Sequence, residues 1–339
     1  MRIAALLALA FVASAALTGL VRRYAMARRL VDEPNARSSH SATTPRGGGL
    51  AFVMTTMVAL PVVAALGMLS WQACWAIVCP GALVAMVGFL DDHDHVPARW
   101  RLLVHFLAAF WALAWTGGLP SLELLGRPVS PGWIGIGFGA LYLVWLLNLY
   151  NFMDGIDGIA SVEAICVCIG GALLYLLEGE SAMGVAPLLL AASVAGFLAW
   201  NFPPASIFMG DSGSGFLGMI LGVMSIQAAW VSVELFHGWL ILLGVFIVDA
   251  TLTLIRRLLR GERIYEAHRS HAYQLATRRF GHLRVTLATG GITLGCLLPI
   301  AVVVQAGWLS GAAGLAFAWL PLAGIHYMVV LGARQSPLL

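Results

Sequence analysis

The sequence predicts an all-α polytopic membrane protein, one transmembrane domain over residues 1–339 with roughly ten or eleven spanning helices. Three observations carry that expectation. Hydrophobic residues make up 60% of the chain and charged residues only 10%, too little charge to coat a water-soluble fold. The apolar residues gather into runs long enough to cross the bilayer, which takes about 20 residues per helix. The basic residues, all Arg with no Lys, are confined almost entirely to alternate gaps between those runs.

In order, the runs lie near 3–21, 50–69, 72–90, 102–117, 133–150, 158–177, 184–201, 213–231, 237–255, 285–306 and 310–332. The first resembles a secretory signal, with Arg2 ahead of an apolar stretch and a small-residue Ala13-Ser14-Ala15 site. It ends, however, in Arg22, Arg23, Arg28 and Arg29, the flank of a retained span. Run 72–90 closely follows its predecessor and run 133–150 is rich in Gly, so either is a candidate for a tilted or partly re-entrant element. The cysteines Cys74, Cys79, Cys166, Cys168 and Cys296 lie in or beside apolar runs without metal-ligand or disulfide spacing and read as packing residues.

Cytoplasmic loops are enriched in basic residues near span ends. If 22–49 is cytoplasmic, alternation puts 91–101, 151–157, 202–212, 256–284 and the tail from 333 on the same side, with the N-terminus outside. Only Arg2 and Arg127 then fall on the outer face. A net charge of +3 scattered in this way excludes a nucleic-acid-binding protein.

The inner loops hold the chemistry. Gly88 to Phe106 (GFLDDHDHVPARWRLLVHF) ends one apolar run in Asp91-Asp92 and starts the next around Arg99 and Arg101, which can supply a counter-charge or grip a phosphate. By itself a DD pair is more often a solvated helix end. Asn148 to Ala160 (NLYNFMDGIDGIA) places Asn148, Asn151, Asp154 and Asp157 at three-residue intervals, one slowly drifting polar stripe on a helix. Carboxylates at a membrane boundary are functional candidates by default, and oxygen-only donors suit Mg²⁺ or Mn²⁺, not zinc; the bland alternative is helix capping. Ile207 to Gly218 (IFMGDSGSGFLG) sets Asp211 at a helix start, equally a plain N-cap or an anion site. The loop from Arg256 to Arg284 carries His268, Arg269 and His271, able to hold a polyphosphate, while its Arg256, Arg257 and Arg260 read as a lipid-facing basic flank. Val31 to Gly49 (VDEPNARSSHSATTPRGGG) adds Arg37, His40 and Arg46 on the same face.

Taken in order, the DD, NxxNxxDGxDG, GDSGS and His-containing motifs resemble the polyprenyl-phosphate N-acetylhexosamine-1-phosphate transferase superfamily, glycosyltransferase family 4, over about residues 31–281. The PNARSSH, PRGGG and HRSHAYQ text is most similar to the branch that initiates O-antigen or related surface polysaccharides. Where the peptidoglycan branch carries a His-His-His run, this chain has His268-Arg269-Ser270-His271, so that branch's substrate choice is not inherited.

The resemblance implies a bacterial inner-membrane enzyme that transfers a sugar 1-phosphate from a UDP-linked N-acetylated amino sugar to undecaprenyl phosphate, releasing UMP. It assigns Mg²⁺, with Mn²⁺ as a substitute, to Asn151 and Asp211. It makes Asp91, Asp92, Asp154 and Asp157 the catalytic acidic groups, and Arg99, Arg101, Asn148, His268, Arg269 and His271 the substrate contacts. Because a phosphate monoester is largely ionised at neutral pH, the Asp pair is expected to position the acceptor more than to act as a base. The oligomeric state, a homodimer included, and the identity of the sugar are not set by the sequence. A secondary transporter, the rival class, would carry its carboxylates near the midplane, where only Glu163 and Asp249 lie within runs. A CDP-alcohol phosphotransferase would need an Arg and a downstream acidic pair that DGIDGIA lacks.

Overall fold

Every apolar run falls on a helix in the structure, a computed structural model that describes residues 2–32, 43–124, 127–129, 131–262 and 269–335. The first five helices are α1 (Arg2–Arg28), α2 (Leu50–Ala65), α3 (Trp71–His93), α4 (Ala98–Thr116) and α5 (Gly132–Met153). They are followed by α6 (Ile159–Glu178), α7 (Val185–Asn201), α8 (Asp211–Ala229), α9 (Val233–Leu242) and α10 (Gly244–Leu259). The chain ends in α11 (Ala272–Ile292), α12 (Leu298–Gln305), joined to α11 through a π-helical turn at Thr293–Leu297, and α13 (Gly311–Gln335). Among the described residues, seven helical segments are long and apolar enough to cross a membrane, and eight if α9 and α10, bent by 68° at Leu243, form one span. Two shorter apolar helices, α2 and α7, add 16 and 17 residues.

Strand is confined to two small antiparallel pairs among the described residues. Val31–Asp32 pairs with Thr44–Pro45, and Leu122–Leu124 with Arg127–Val129. Backbone polar groups inside hydrocarbon must be satisfied within the segment, which helices alone achieve here.

Helix α8 is the axis of the fold. It packs against α2, α3, α5 and α9 and is buried along nearly its whole length. Lipid tails are as apolar as side chains, so such helices associate through close packing more than through the hydrophobic effect. The close packing is visible at two crossings. A Cβ on Gly49, at the head of α2, would stand 2.6 Å from the Gly213 Cα of α8, and one on Gly88 of α3 would stand 2.6 Å from the Ser212 nitrogen. These contacts hold the start of α8 against the start of α2 and the end of α3. Peripheral helices present bulky apolar side chains outward, for example Leu9 and Val12 of α1, Ile134 and Phe138 of α5 and Phe317 and Leu320 of α13.

Two local departures from hydropathy matter for the site. Residues 272–284 are helical, where their charge had marked them as loop, and α11 is broken within itself at Gly281 (φ 76°, ψ 165°). Hydropathy cannot register a helix whose outer face carries Arg278, Arg279 and Arg284. The PRGGG stretch is also not slack: Phe208 N–H donates to the Pro45 carbonyl (2.8 Å), Gly48 N–H to Phe208 (2.9 Å) and Gly49 N–H to Met209 (2.8 Å). That ladder straps the residues before Asp211 to the residues before α2.

Candidate active site

Consecutive residues on an α-helix point about 100° apart, so Asp91 and Asp92 at the end of α3 face different neighbours. Asp91 accepts from the Val96 N–H (2.8 Å) and from the guanidinium of Arg101 on α4. Asp92 is buried and accepts from the backbone N–H groups of Asp211 (3.1 Å) and Ser212 (3.3 Å). It therefore supplies from another helix the anion that the N-terminus of α8 attracts. The sequence leaves this helix start open between a plain N-cap and an anion site; in the structure Gly210 is the cap, without a side-chain bond, and the anion on the N–H groups is Asp92. Gly210 permits the approach: its φ is +79°, and a Cβ there would lie 2.7 Å from Asp92 Oδ2.

Asp211 joins three elements. Asn151 of α5 donates to its Oδ1 (2.9 Å) and also to Ser214 Oγ (3.0 Å), while Arg101 donates to Asp211 Oδ2 (3.3 Å). Arg46 donates to the Asp92 carbonyl (2.6 Å), bringing a cation to the same point from the PRGGG strap.

Beyond Asn151 the chain turns. Asp154 ends α5, and Gly158, at φ 74°, starts α6. The turn is stitched by Asn201, which accepts from the Gly158 N–H (3.0 Å) and donates to the Ile207 carbonyl (2.9 Å). Asp157 accepts from the Ala205 N–H (3.0 Å), and His282 Nδ1 lies 3.2 Å from its Oδ1. Burial, and behind it the Asp211, Asp92 and Asp157 carboxylates, hold the Asp154 carboxyl well above the usual range.

These groups line a cavity of about 320 Å³ walled by Asp32, Arg46, Asp92, Asn151, Asp154, Asp157, Asp211 and Ser214, with Asn201, Phe208, Gln274 and His282 completing it. All five loops read as lying on one face contribute to it. A second cleft, of about 210 Å³, runs between α3, α4 and α5. It is lined by Val84, Val87, Leu102, Leu147 and Phe152 around Arg101, His105 and Asn148, and it shares Asn151 and Asp211 with the first. Two differently lined spaces thus meet at one amide–carboxylate pair.

The remaining expected contacts divide. Asn148 sits in the second cleft, with its amide nitrogen on its own helix's Val144 carbonyl (2.7 Å). Arg99 lines neither space: two positions from Arg101 on α4 it points to the opposite side, exposed over the Trp100 ring at 5.7 Å from its centroid. His271 is buried beside Asp249 (3.6 Å) and stacks on Phe152, behind the cavity wall and not on it. Arg269 leads into α11 without lining the cavity, and His268, like Arg37 and His40, lies outside the described residues. Sequence reasoning did not single out Asp32, Asn201, Phe208, Ser214, Gln274 or His282. Phe208 stands three positions before Asp211 and Gln274 three after His271, the one signal that could have drawn attention to either.

A divalent ion fits the donor set only with help. Among the described residues no three His, Cys, Asp or Glu side chains cluster at metal-ligand geometry. Mg²⁺, however, commonly takes one or two protein oxygens and completes its octahedron with water and substrate phosphate, which the Asn151–Asp211 pair allows. The crowd of carboxylates around Asp154 also calls for a cation.

A model of the family described as glycosyl transferase family 4 matches residues 74–229, from α3 to the end of α8. The chain is 32% identical over 262 residues to a probable undecaprenyl-phosphate N-acetylglucosaminyl 1-phosphate transferase of Bacillus subtilis (strain 168), covering 76% of this chain and 72% of that protein. It is 26% identical to the undecaprenyl-phosphate alpha-N-acetylglucosaminyl 1-phosphate transferase of Thermotoga maritima, over 80% of this chain and 81% of the other. With the phospho-N-acetylmuramoyl-pentapeptide-transferase of Streptococcus pneumoniae serotype 2 it shares 28% identity over 66% of this chain and 71% of the relative.

Proposed function

Because the chain belongs to glycosyl transferase family 4, the polyprenyl-phosphate N-acetylhexosamine-1-phosphate transferases, we propose that it moves a sugar 1-phosphate from a UDP-linked N-acetylated amino sugar to undecaprenyl phosphate. The observation that carries this reading is the meeting of two unlike spaces at Asn151 and Asp211. A transferase of this kind must bring a water-soluble nucleotide sugar and a membrane-bound phosphate to one point. The polar cavity suits the nucleotide sugar, and the cleft between α3, α4 and α5 suits the acceptor.

In the reaction an oxygen of the acceptor phosphate attacks the sugar-bearing phosphorus. The bond from that phosphorus to the bridging oxygen breaks, and UMP leaves with the electron pair. Arg101, oriented by Asp91, holds the incoming phosphate. Arg46, fixed on the Asp92 carbonyl, faces the nucleotide side. Asn148 lies along the acceptor's path, and Asp154 and Asp157 shape the nucleotide pocket from the turn after α5. Mg²⁺, with Mn²⁺ as a substitute, would be held by Asn151 and Asp211 and would supply neutralisation of the diphosphate charge. A transporter would instead need its carboxylates at midplane, whereas these line helix ends.

We place the cavity on the cytoplasmic face, with the N-terminus outside, on the Arg distribution. The surface-polysaccharide role, O-antigen initiation or a related pathway, is supported by the PNARSSH, PRGGG and HRSHAYQ text. The test is purified protein in detergent with undecaprenyl phosphate, Mg²⁺ and a panel of UDP-sugars, followed by UMP release. The expected result is turnover with an N-acetylated amino sugar that needs both the acceptor and the metal. UMP release without acceptor, or none with any sugar, overturns the reading.

A further inference from the structure

One part of the cavity wall is contributed by α11, and what fixes it there is a buried carboxylate on another helix. Asp249 of α10 accepts from the N–H groups of Ala272 (2.9 Å) and Tyr273 (2.9 Å), the first two residues of α11. Thr253 also donates to it (3.2 Å), and His271 and His326 Nδ1 lie 3.6 and 3.3 Å from its Oδ1. His326 belongs to α13, so three helices converge on this one side chain. A carboxylate placed on a helix N-terminus satisfies donors that would otherwise be orphaned, and here it locks the rotation and depth of α11.

From that locked start, Tyr273 reaches to the end of α5, where its hydroxyl donates to the Phe152 carbonyl (2.9 Å). Gly155 accommodates the contact, since a Cβ there would lie 2.2 Å from the Tyr273 hydroxyl and 3.0 Å from Gln274 Nε2. Gln274 is thereby held against the Asp154–Gly155 turn and lines the polar cavity among Asp157, Asn201, Phe208 and His282. Its carbonyl oxygen is buried and has no hydrogen-bond partner. A buried acceptor left unpaired is costly and rare in native proteins. That oxygen has almost no accessible surface, so the amide of this cavity-lining residue must turn about its last side-chain bond to meet a donor carried in by the ligand.

We propose that Gln274 binds the nucleotide sugar by accepting a hydrogen bond from an amide N–H, and that Asp249 is the positioning residue that presents it. This rests on the reading of the polar cavity as the nucleotide-sugar pocket. Two groups of such a substrate offer an amide N–H: the uracil imide and the acetamido group of the sugar. Gln274 is the binding residue, whereas Asp249 acts through α11 and touches no substrate.

The experiment compares wild type with Gln274→Met, which keeps length but loses the acceptor, and with Asp249→Asn, which keeps shape but weakens the cap. For each, the KM for the preferred UDP-sugar, the KM for undecaprenyl phosphate, kcat, inhibition by UMP and thermal unfolding are measured. Gln274→Met should raise the UDP-sugar KM roughly tenfold, the scale of one buried hydrogen bond, and leave the acceptor KM unchanged. A matching loss of UMP affinity identifies the uracil as donor; unchanged UMP affinity identifies the acetamido group. Asp249→Asn should raise the same KM by a smaller factor, selectively, at a measurable cost in melting temperature. A Gln274→Met enzyme with unaltered KM for the nucleotide sugar and unaltered UMP inhibition overturns the binding role. An Asp249→Asn enzyme that loses kcat only in proportion to folded protein, with normal KM, overturns the positioning role. Failure of wild type to release UMP from any UDP-sugar defeats the functional reading itself and is distinct from either result.

Discussion

Asp211 stands between an amide and a guanidinium, so its loss removes the charge around which Asn151, Ser214 and Arg101 are arranged. Asp211→Ala is expected to abolish turnover while leaving the protein in the membrane, to be checked by UMP release from purified, correctly inserted protein. Asp91→Asn should weaken the grip on Arg101 and raise the acceptor KM; a rate deficit restored at high pH would instead identify a base. Asp154 gives a dependence on pH. Because ionising it costs more in the folded chain than in the unfolded one, the metal-free protein loses stability as pH rises from the ordinary carboxylate range toward the raised value. A divalent ion favours the ionised form, so Mg²⁺ should stabilise the protein more at high pH than at low, read as the shift in melting temperature with and without the ion. At this scale the sequence was partly legible. Carboxylates and amides stand out in so apolar a chain, and Asn151 and Asp211 do meet. That Asp92 caps α8, that Arg101 faces inward while Arg99 does not, and that Gln274 lines the cavity follow from helix rotation and long-range packing, which no local pattern records.

At the scale of elements, hydropathy located a helix for every run and failed where backbone geometry or surface charge decides. The 68° bend between α9 and α10 and the π-helical turn after α11 leave no trace in apolarity, and the charged first half of α11 reads as loop. The crossing of α2 on α8 offers a direct test of the packing argument. A Cβ at Gly49 would meet the Gly213 backbone at 2.6 Å, which cannot yield as a flexible side chain would. Gly49→Val should therefore cost about 1–3 kcal/mol or more by overpacking and lower activity further by displacing Asp211, since small misplacements cost large factors in rate. Gly137→Val, on an α5 face with nothing within 4 Å, should change neither the melting temperature nor turnover.

For the molecule as a whole, alternation of spans foretold that the loops at 22–49, 91–101, 151–157, 202–212 and 256–284 share a face, and all contribute to one cavity. Which side of the membrane that face meets is a separate question that labelling answers. In a background free of native cysteines, His95→Cys, on a side chain 85% exposed near the cavity, should react with a membrane-impermeant thiol reagent only from the cytoplasmic side. Ser121→Cys, exposed at the opposite helix ends, should react only from outside, and the reverse pattern would invert the orientation.

If the two spaces hold the nucleotide and the acceptor phosphate as proposed, the Asn151–Asp211 pair common to both also sets a rule for inhibitors. A uridine-like head and an alkyl phosphate tail, each feeble alone, would become effective when tethered by a linker short enough to pass Asn151 and Asp211. The second group then binds at a high local concentration without any new contact. Lengthening the tether beyond that span should erode the gain steadily, so a ladder of linker lengths would serve as a molecular ruler for the gap between the pockets.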